Sequence, residues 1–375
     1  LFLSLLLLLI LFVALLFVPF PTFRLETRYE VIDLGILPGE NQSIAFDINN
    51  HGQVVGSSGS SAFLWDPEEG MKEIAENCWN CKINDKGEIL GYGRVPDASG
   101  NLENRLLLMN EHQEYIDRGF GVYDSSFDLN DRGRIIWTGK FPFSRKIQGF
   151  VRDVSGVTSE IILPNLTLHR VREINNQGMV LGTSKDSQNV YRAFLLDAEG
   201  GFESLNPDSS KKGHFFGELL NDEGWVVGNL SKPQKEDSYF LWNGNSFSKL
   251  STLGGSSFAL DMNNRGQIVG SSFTFQSQLR ETVSDGTRAL LKDIPFGKTA
   301  LMMAGIWDRR REVPRPVIWE GEEVYDLNRF LSSDTDWELI GASAINDKGE
   351  IVGHGYRGDW KHVRAFLLRP VQTED

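Results

Sequence analysis

Beyond residue 28 the apolar positions fall into short runs that alternate with polar ones, the period of strands rather than of helices. One phrase punctuates these runs: an apolar residue, Asn, then Asn or Asp, any residue, and Gly. It begins at Asn49, Asn84, Asn130, Asn175, Asn221, Asn263 and Asn346, with spacings of 35, 46, 45, 46, 42 and 83 residues. Recurrence near 45 residues is the mark of a repeat architecture. Physically, N-[ND]-x-G is a hairpin turn. The Asn side chain caps it, two residues take helical angles and Gly accepts positive φ, a type I turn closed by a G1 bulge.

Each turn joins two strands, and the second usually reads x-[VI]-[VLI]-Gly, as in Gln53-Val54-Val55-Gly56; Trp137 replaces that Gly in the third copy. A third, aromatic strand follows, for example Ala62-Phe63-Leu64-Trp65 and Ala365-Phe366-Leu367-Leu368, and then a short fourth such as Phe202–Leu205. Four antiparallel strands per repeat make one propeller blade. The last copy stops after its third strand, and Tyr29–Leu34 reads like a stray fourth. The fold class predicted is all-β: a seven-bladed β-propeller over 29–370, its ring closed by the N-terminal strand. The competing arrangements are an open solenoid or two sandwiches. The 83-residue spacing predicts a long loop insertion at 274–315, or else a degenerate extra half-blade.

Composition supports strands and turns, with 38 Gly, 24 Phe and 9 Trp in 375 residues. The formal charge of -13 repels phosphate backbones and argues against a nucleic-acid partner. Arg309-Arg310-Arg311 is a single short basic run. Residues 1–20 carry no charge, and 1–22 reads as a signal-anchor helix or a signal peptide. Arg24 and Arg28 pull weakly towards a cytoplasmic side for the repeats.

Taken together, the phrases resemble the HAF-repeat family of predicted extracellular bacterial repeat proteins. Leu34-Gly35-Ile36-Leu37-Pro38-Gly39 and Leu253-Gly254-Gly255-Ser256-Ser257 are similar to the family's glycine loop. The stretch from Asp336-Trp337-Glu338 to Ala365-Phe366-Leu367-Leu368 resembles its last repeat. The family's His before Ala-Phe is absent, with Ser61, Arg192 and Arg364 in its place. The resemblance implies a repeat fold and an extracytoplasmic location, secreted or membrane-anchored, but no activity.

In a blade, the loop between the second and third strands and the link to the next blade share one rim, opposite the Asn turns. Loops carry sites while strands carry packing, so function is expected on that rim. The rim of blades six and seven offers Trp307, Arg309, Asp334, Asp336, Trp337, His354, Tyr356, Trp360 and His362. Aromatic rings beside carboxylates and arginine suit a surface glycan or a protein segment. Trp337 and Trp360 equally suit blade packing. The two histidines with Asp334 or Asp336 are a loose metal set, and no cofactor loop is present. No G-x-S-x-G turn occurs. The reading is therefore a binding module without catalysis; the alternative is a hydrolase or lyase acting on an extracellular polysaccharide. Cys78 and Cys81 form a C-x-x-C pair, a candidate small-loop disulfide.

Overall fold

In a computed structural model the chain forms seven four-stranded antiparallel sheets, each in simple sequential order except the last. The structure describes residues 28–371 apart from 97–98, 101, 110–113, 117–120, 141–146, 208–212, 234–236, 277–310 and 359–360. The apolar segment 1–22 and its expected helix lie outside the described residues. Among those described, no helix is long and apolar enough to cross a membrane.

The innermost strands of blades 1 to 7 are Ser43–Ile48, Cys78–Ile83, Gly121–Leu129, Thr167–Ile174, His214–Leu220, Ser257–Met262 and Trp337–Ile345. The closing strand, Arg28–Gly35, is the outermost strand of blade 7 and pairs with Val363–Val371. Val31 lies opposite Leu368 and Asp33 opposite Phe366, as the repeat count requires. A charge cluster holds this strand at its loop end. The Asp33 carboxylate accepts from Arg364 Nε at 2.9 Å and from Arg357 Nη1 at 2.9 Å. In blade 6 the second and third strands run on to Gln276 and resume at Arg311. The insertion is thus shorter than the predicted 274–315 and falls in 277–310, outside the described residues.

Apolar clusters fill the gaps between blades. Between blades 7 and 1, for instance, Leu34, Ala45, Phe63, Ala344 and Leu367 pack together. The Gly of the x-V-V-G phrase permits this closeness. A Cβ at Gly56 would stand 2.1 Å from the Ile44 carbonyl and 2.6 Å from the Phe63 ring. The squeeze arises because the innermost strand carries a bulge here, between Ala45 and Asp47. In blade 3 the irregularity lies farther from the turn, between Val122 and Phe127, and Trp137 fits where Gly is otherwise needed.

The Asn turns have the expected geometry: Gly52 N–H donates to the Asn49 carbonyl at 3.0 Å, with Gly52 at φ +81. They also do something between blades. Asn49 Nδ2 donates to the Asn84 carbonyl, Asn84 to Asn130, Asn130 to Asn175, Asn175 to Asn221, Asn221 to Asn263, Asn263 to Asn346, and Asn346 back to Asn49. These bonds measure 2.9 Å at the shortest and 3.2 Å at the longest. A second ring surrounds the first. The backbone N–H of each following residue donates to the side-chain Oδ1 of its counterpart in the next blade, from Asn50 to Asp85 through to Asp347 to Asn50.

Asn130 is 3 % exposed, and its side chain also accepts from the backbone of Arg132 and Arg134. Replacing it by Ala strands the buried Asn175 carbonyl and two part-buried backbone N–H groups, at roughly 1–3 kcal/mol each. We expect Asn130→Ala to lose about 3 kcal/mol or more in urea unfolding. Asn243→Ala, at an exposed turn outside the rings, should lose about 1 kcal/mol or less. Equal losses would deny the rings their structural weight.

Candidate functional site: the axial channel and the loop rim

Near the end of each innermost strand the residue two before the Asn faces the propeller axis, beside a bulge in every blade but the third. In five blades that residue is charged: Asp47, Lys82, Asp128, Glu173 and Asp261. With the turn residues they line an axial cavity of about 180 Å³. Each carboxylate caps the next blade's strand. Asp47 Oδ2 accepts from Ile83 N–H at 2.9 Å, Asp128 from Ile174 at 2.9 Å, Glu173 from Leu220 at 2.5 Å and Asp261 from Ile345 at 2.7 Å.

Four acids and one lysine in a narrow channel perturb one another. Burial raises the Glu173 carboxyl from its ordinary 4.5 to about 8, with Lys82 opposing and Asp128 and Asp261 adding to the rise. Asp261 rises to about 6, again chiefly through burial. Asp47 and Asp128 shift the same way for the same cause. Burial alone would lower the Lys82 pKa, but the four surrounding carboxylates outweigh it and hold the ammonium charged. Among the described residues no group of three or more His, Cys, Asp or Glu is placed to hold a metal ion. With each carboxylate bonded to the backbone of the next blade and Lys82 among them, the tier ties neighbouring blades together.

On the loop rim, the residues singled out in blade 7 serve different ends. Trp337 is buried and packs edge-on against Phe366, ring centroids 6.1 Å apart, so it is a packing residue. Asp336 is exposed and accepts from Arg357 Nε at 3.2 Å, extending the Asp33 cluster. Asp334 is exposed, and the Ser332 hydroxyl that donates to it holds its carboxyl below the usual range. His354 is half-buried, which lowers its pKa; its imidazole faces Gly341, and among the described residues its Nδ1 has no hydrogen-bond partner. Tyr356 is half-buried and His362 exposed. Trp307, Arg309 and Trp360 lie outside the described residues.

A cluster that the sequence pattern did not reveal sits on the same rim, where blades 4 and 5 meet. The His169 and Tyr191 rings are 4.8 Å apart, Tyr191 and His214 5.3 Å, and Tyr191 and Phe216 5.3 Å. All four are half-buried, and Lys185 Nζ stands 5.6 Å from the Tyr191 ring centre. Its signal in the sequence is positional: His169 and His214 stand near the loop-side ends of successive innermost strands. On blade 6 the corresponding strand exposes Phe258 (48 %) and Leu260 (44 %).

Cys78 and Cys81 are buried thiols, not joined as a disulfide. Residues three apart on a regular strand face opposite sides. Here the register shifts between Trp79 and Lys82, and Asn80 adopts φ +57, so both thiols turn into the interface of blades 1 and 2. The hydrogen bond that the Cys81 S–H donates to Cys78, aided by burial, pushes the Cys81 thiol well above its ordinary pKa.

No protein-family model matches the chain, and no curated protein sequence matches it. Among solved structures it is similar to the acylaminoacyl peptidase of Pyrococcus horikoshii, with TM-score 0.52 and 10 % identity over 92 % of this chain and 54 % of that one. A structure described as streptogramin B lyase gives TM-score 0.48 at 9 % identity, covering 92 % of this chain and 98 % of the other. A puromycin hydrolase gives 0.49 at 8 %, over 90 % and 52 %. The chain spans about half the length of the peptidase and of the puromycin hydrolase. At such identity the likeness is one of fold alone.

The raised acids of the channel make stability depend on pH. Between the unfolded value near 4.5 and the folded value near 8, folded Glu173 keeps a proton that the unfolded chain has lost. Stability should therefore fall as pH rises through that window. Glu173→Gln keeps an acceptor for Leu220 N–H and removes the ionisation. We expect its urea midpoint to vary less between pH 5 and pH 8 than that of the wild type. An unchanged pH slope would rule out Glu173 as the source.

Proposed function

We propose that the protein is a non-enzymatic recognition module, working outside the cytoplasm and tethered or exported by its N-terminal apolar segment. Its partner is a surface glycan or a protein segment bound on the loop rim. The turn face is committed to two closed rings of hydrogen bonds built from near-identical turns, and this leaves little room for a specific ligand. The loop rim, by contrast, differs from blade to blade.

The observation that carries the reading is the half-buried cluster of His169, Tyr191, His214 and Phe216 with Lys185 beside it. Flat aromatic faces with polar edges stack on sugar rings or peptide planes at low entropic cost. Lysine and histidine supply donors for hydroxyl or carboxylate groups. The exposed Asp334 and His362 of blade 7 extend the same rim.

Glycan-array and surface-protein capture assays test this directly. Tyr191→Ala with Lys185→Ala should weaken whatever binding is found by about tenfold or more, as removal of an aromatic anchor does. The melting temperature should move little. Binding that survives this pair, and His362→Ala as well, would exclude the rim. New reducing ends released from any polysaccharide in a panel would overturn the non-enzymatic reading.

A further inference from the structure

The closing Gly of the x-V-V-G phrase leaves a socket that its neighbours must fill. In three blades the ring of the residue paired with it does so: Phe63 over Gly56, Phe194 over Gly182 and Phe366 over Gly353. Blade 2 departs from this. Leu107 is paired with Gly91, and sulfur-bearing side chains take the place of the ring. Measured from where a Gly91 Cβ would stand, Cys78 Sγ lies at 2.6 Å, the Met109 methyl at 2.6 Å and Cys81 Sγ at 3.3 Å. Both cysteines of the chain thus meet one of its six methionines around a single point. All three side chains are buried. The backbone is bent to bring the thiols there: the bulge and Asn80 at φ +57 turn them inward, and Asn77, just before Cys78, is also left-handed at φ +51. Two such residues within four are uncommon outside glycine. Asn77 is exposed, so the pair begins one residue below the loop-side surface.

The donors decide what such a pocket selects. Thiolate and thioether sulfur are soft ligands and favour soft cations, copper(I) above all. A structural zinc site takes four donors, and nothing completes a set of four here. Among the described residues no group of three or more His, Cys, Asp or Glu could hold an ion. A soft monovalent ion is satisfied by two or three sulfurs. The spacing also fits. Sulfurs bound about 2.3 Å from one ion stand about 4 Å apart, the span of a thiol–thiol hydrogen bond such as Cys81 makes to Cys78. The Met109 sulfur is one bond from the methyl that already points into the socket, and the flexible thioether chain turns it onto the ion.

We infer that Cys78, Cys81 and Met109 form a buried binding site for a soft monovalent cation of the copper(I) class. Each thiol gives its proton to solvent and a sulfur lone pair to the ion, and no electron is transferred. The ion replaces the thiol–thiol hydrogen bond and ties the innermost strand of blade 2 to its third strand, Leu102–Met109. The site stands on its own residues and does not depend on the aromatic cluster of blades 4 and 5.

Titration of the reduced whole protein without oxygen tests it, with copper(I) supplied as its bicinchoninate complex, whose colour fades as the protein takes the ion. The result expected is one ion per chain, a urea midpoint that rises on loading, and displacement by silver(I). Cys78→Ser with Cys81→Ser should abolish uptake. Met109→Leu nearly conserves volume, so it should keep the fold and both thiols yet weaken uptake about tenfold or more. No uptake, or uptake unchanged in the double serine variant, would overturn the inference. So would affinity unchanged in Met109→Leu, which would leave a bare dithiol in place of a three-sulfur site. A Cys78–Cys81 disulfide found by mass spectrometry in protein isolated without reductant would overturn it too, by assigning the pair to oxidation.

Discussion

The carboxamide at the first position of each turn is the constraint on which the ring depends. In six of the seven turns its oxygen accepts two backbone N–H groups of its own turn, as Asn49 does from His51 and Gln53, and Asn221 accepts one, from Trp225. Its nitrogen reaches the carbonyl of the next turn. The position therefore needs an acceptor and a donor on separate atoms of one short stem, which the Asn carboxamide supplies. Asp lacks the donor, and Gln would carry its amide a methylene too far. The second position asks only for an acceptor, because it receives one backbone N–H through Oδ1. Asn and Asp serve equally there, and both occur. The N-[ND] pattern is thus the chemical record of two rings with different demands.

Seven is an odd number, and the second ring shows the consequence. Amides alternate with acids almost all the way round. Asn50 Nδ2 bridges Asp85 and Asp347, Asn176 bridges Asp131 and Asp222, and Asn264 bridges Asp222 and Asp347. Strict alternation cannot close on seven positions, and it fails between Asp85 and Asp131, two acids in succession. The first ring carries no such mismatch, since its members are identical. Closure joins Asn346 to Asn49, 297 residues apart, and the outer strand of blade 7 repeats that closure through its ladder and the Asp33 cluster. Such non-local pairings predict slow folding, with the ring completed only when both ends of the chain have met.

Much of the fold was legible in the sequence because turn chemistry and strand period are local properties. The count of seven, the order of strands and the closing role of Tyr29–Leu34 all rest on them. What stayed hidden depends on bulges. A single extra residue reverses which face a side chain takes, so Cys78 and Cys81 converge where simple alternation separates them. Asp47, Glu173 and Asp261 of the axial tier were hidden for the same reason. Trp337 shows the opposite limit: composition marks it as a ligand-stacking candidate, whereas its neighbour Phe366 makes it core. The cluster of blades 4 and 5 joins residues from successive repeats, which only the register of adjacent blades brings together.

The bulges also account for the costly axial tier. Where the innermost strand is kinked near its turn, a backbone N–H faces the gap between blades, and a buried donor must be paired. Asp and Glu supply the acceptor from the blade before, as Asp261 does for Ile345. Crowding four carboxylates round one lysine is a weak source of net stability, since desolvation offsets attraction. Its value is in register, because each acid meets one particular N–H of its neighbour and so fixes the angle between blades. Rings and tier together hold the turn half of every blade. The loop half is therefore free to differ, and the aromatic cluster stands there.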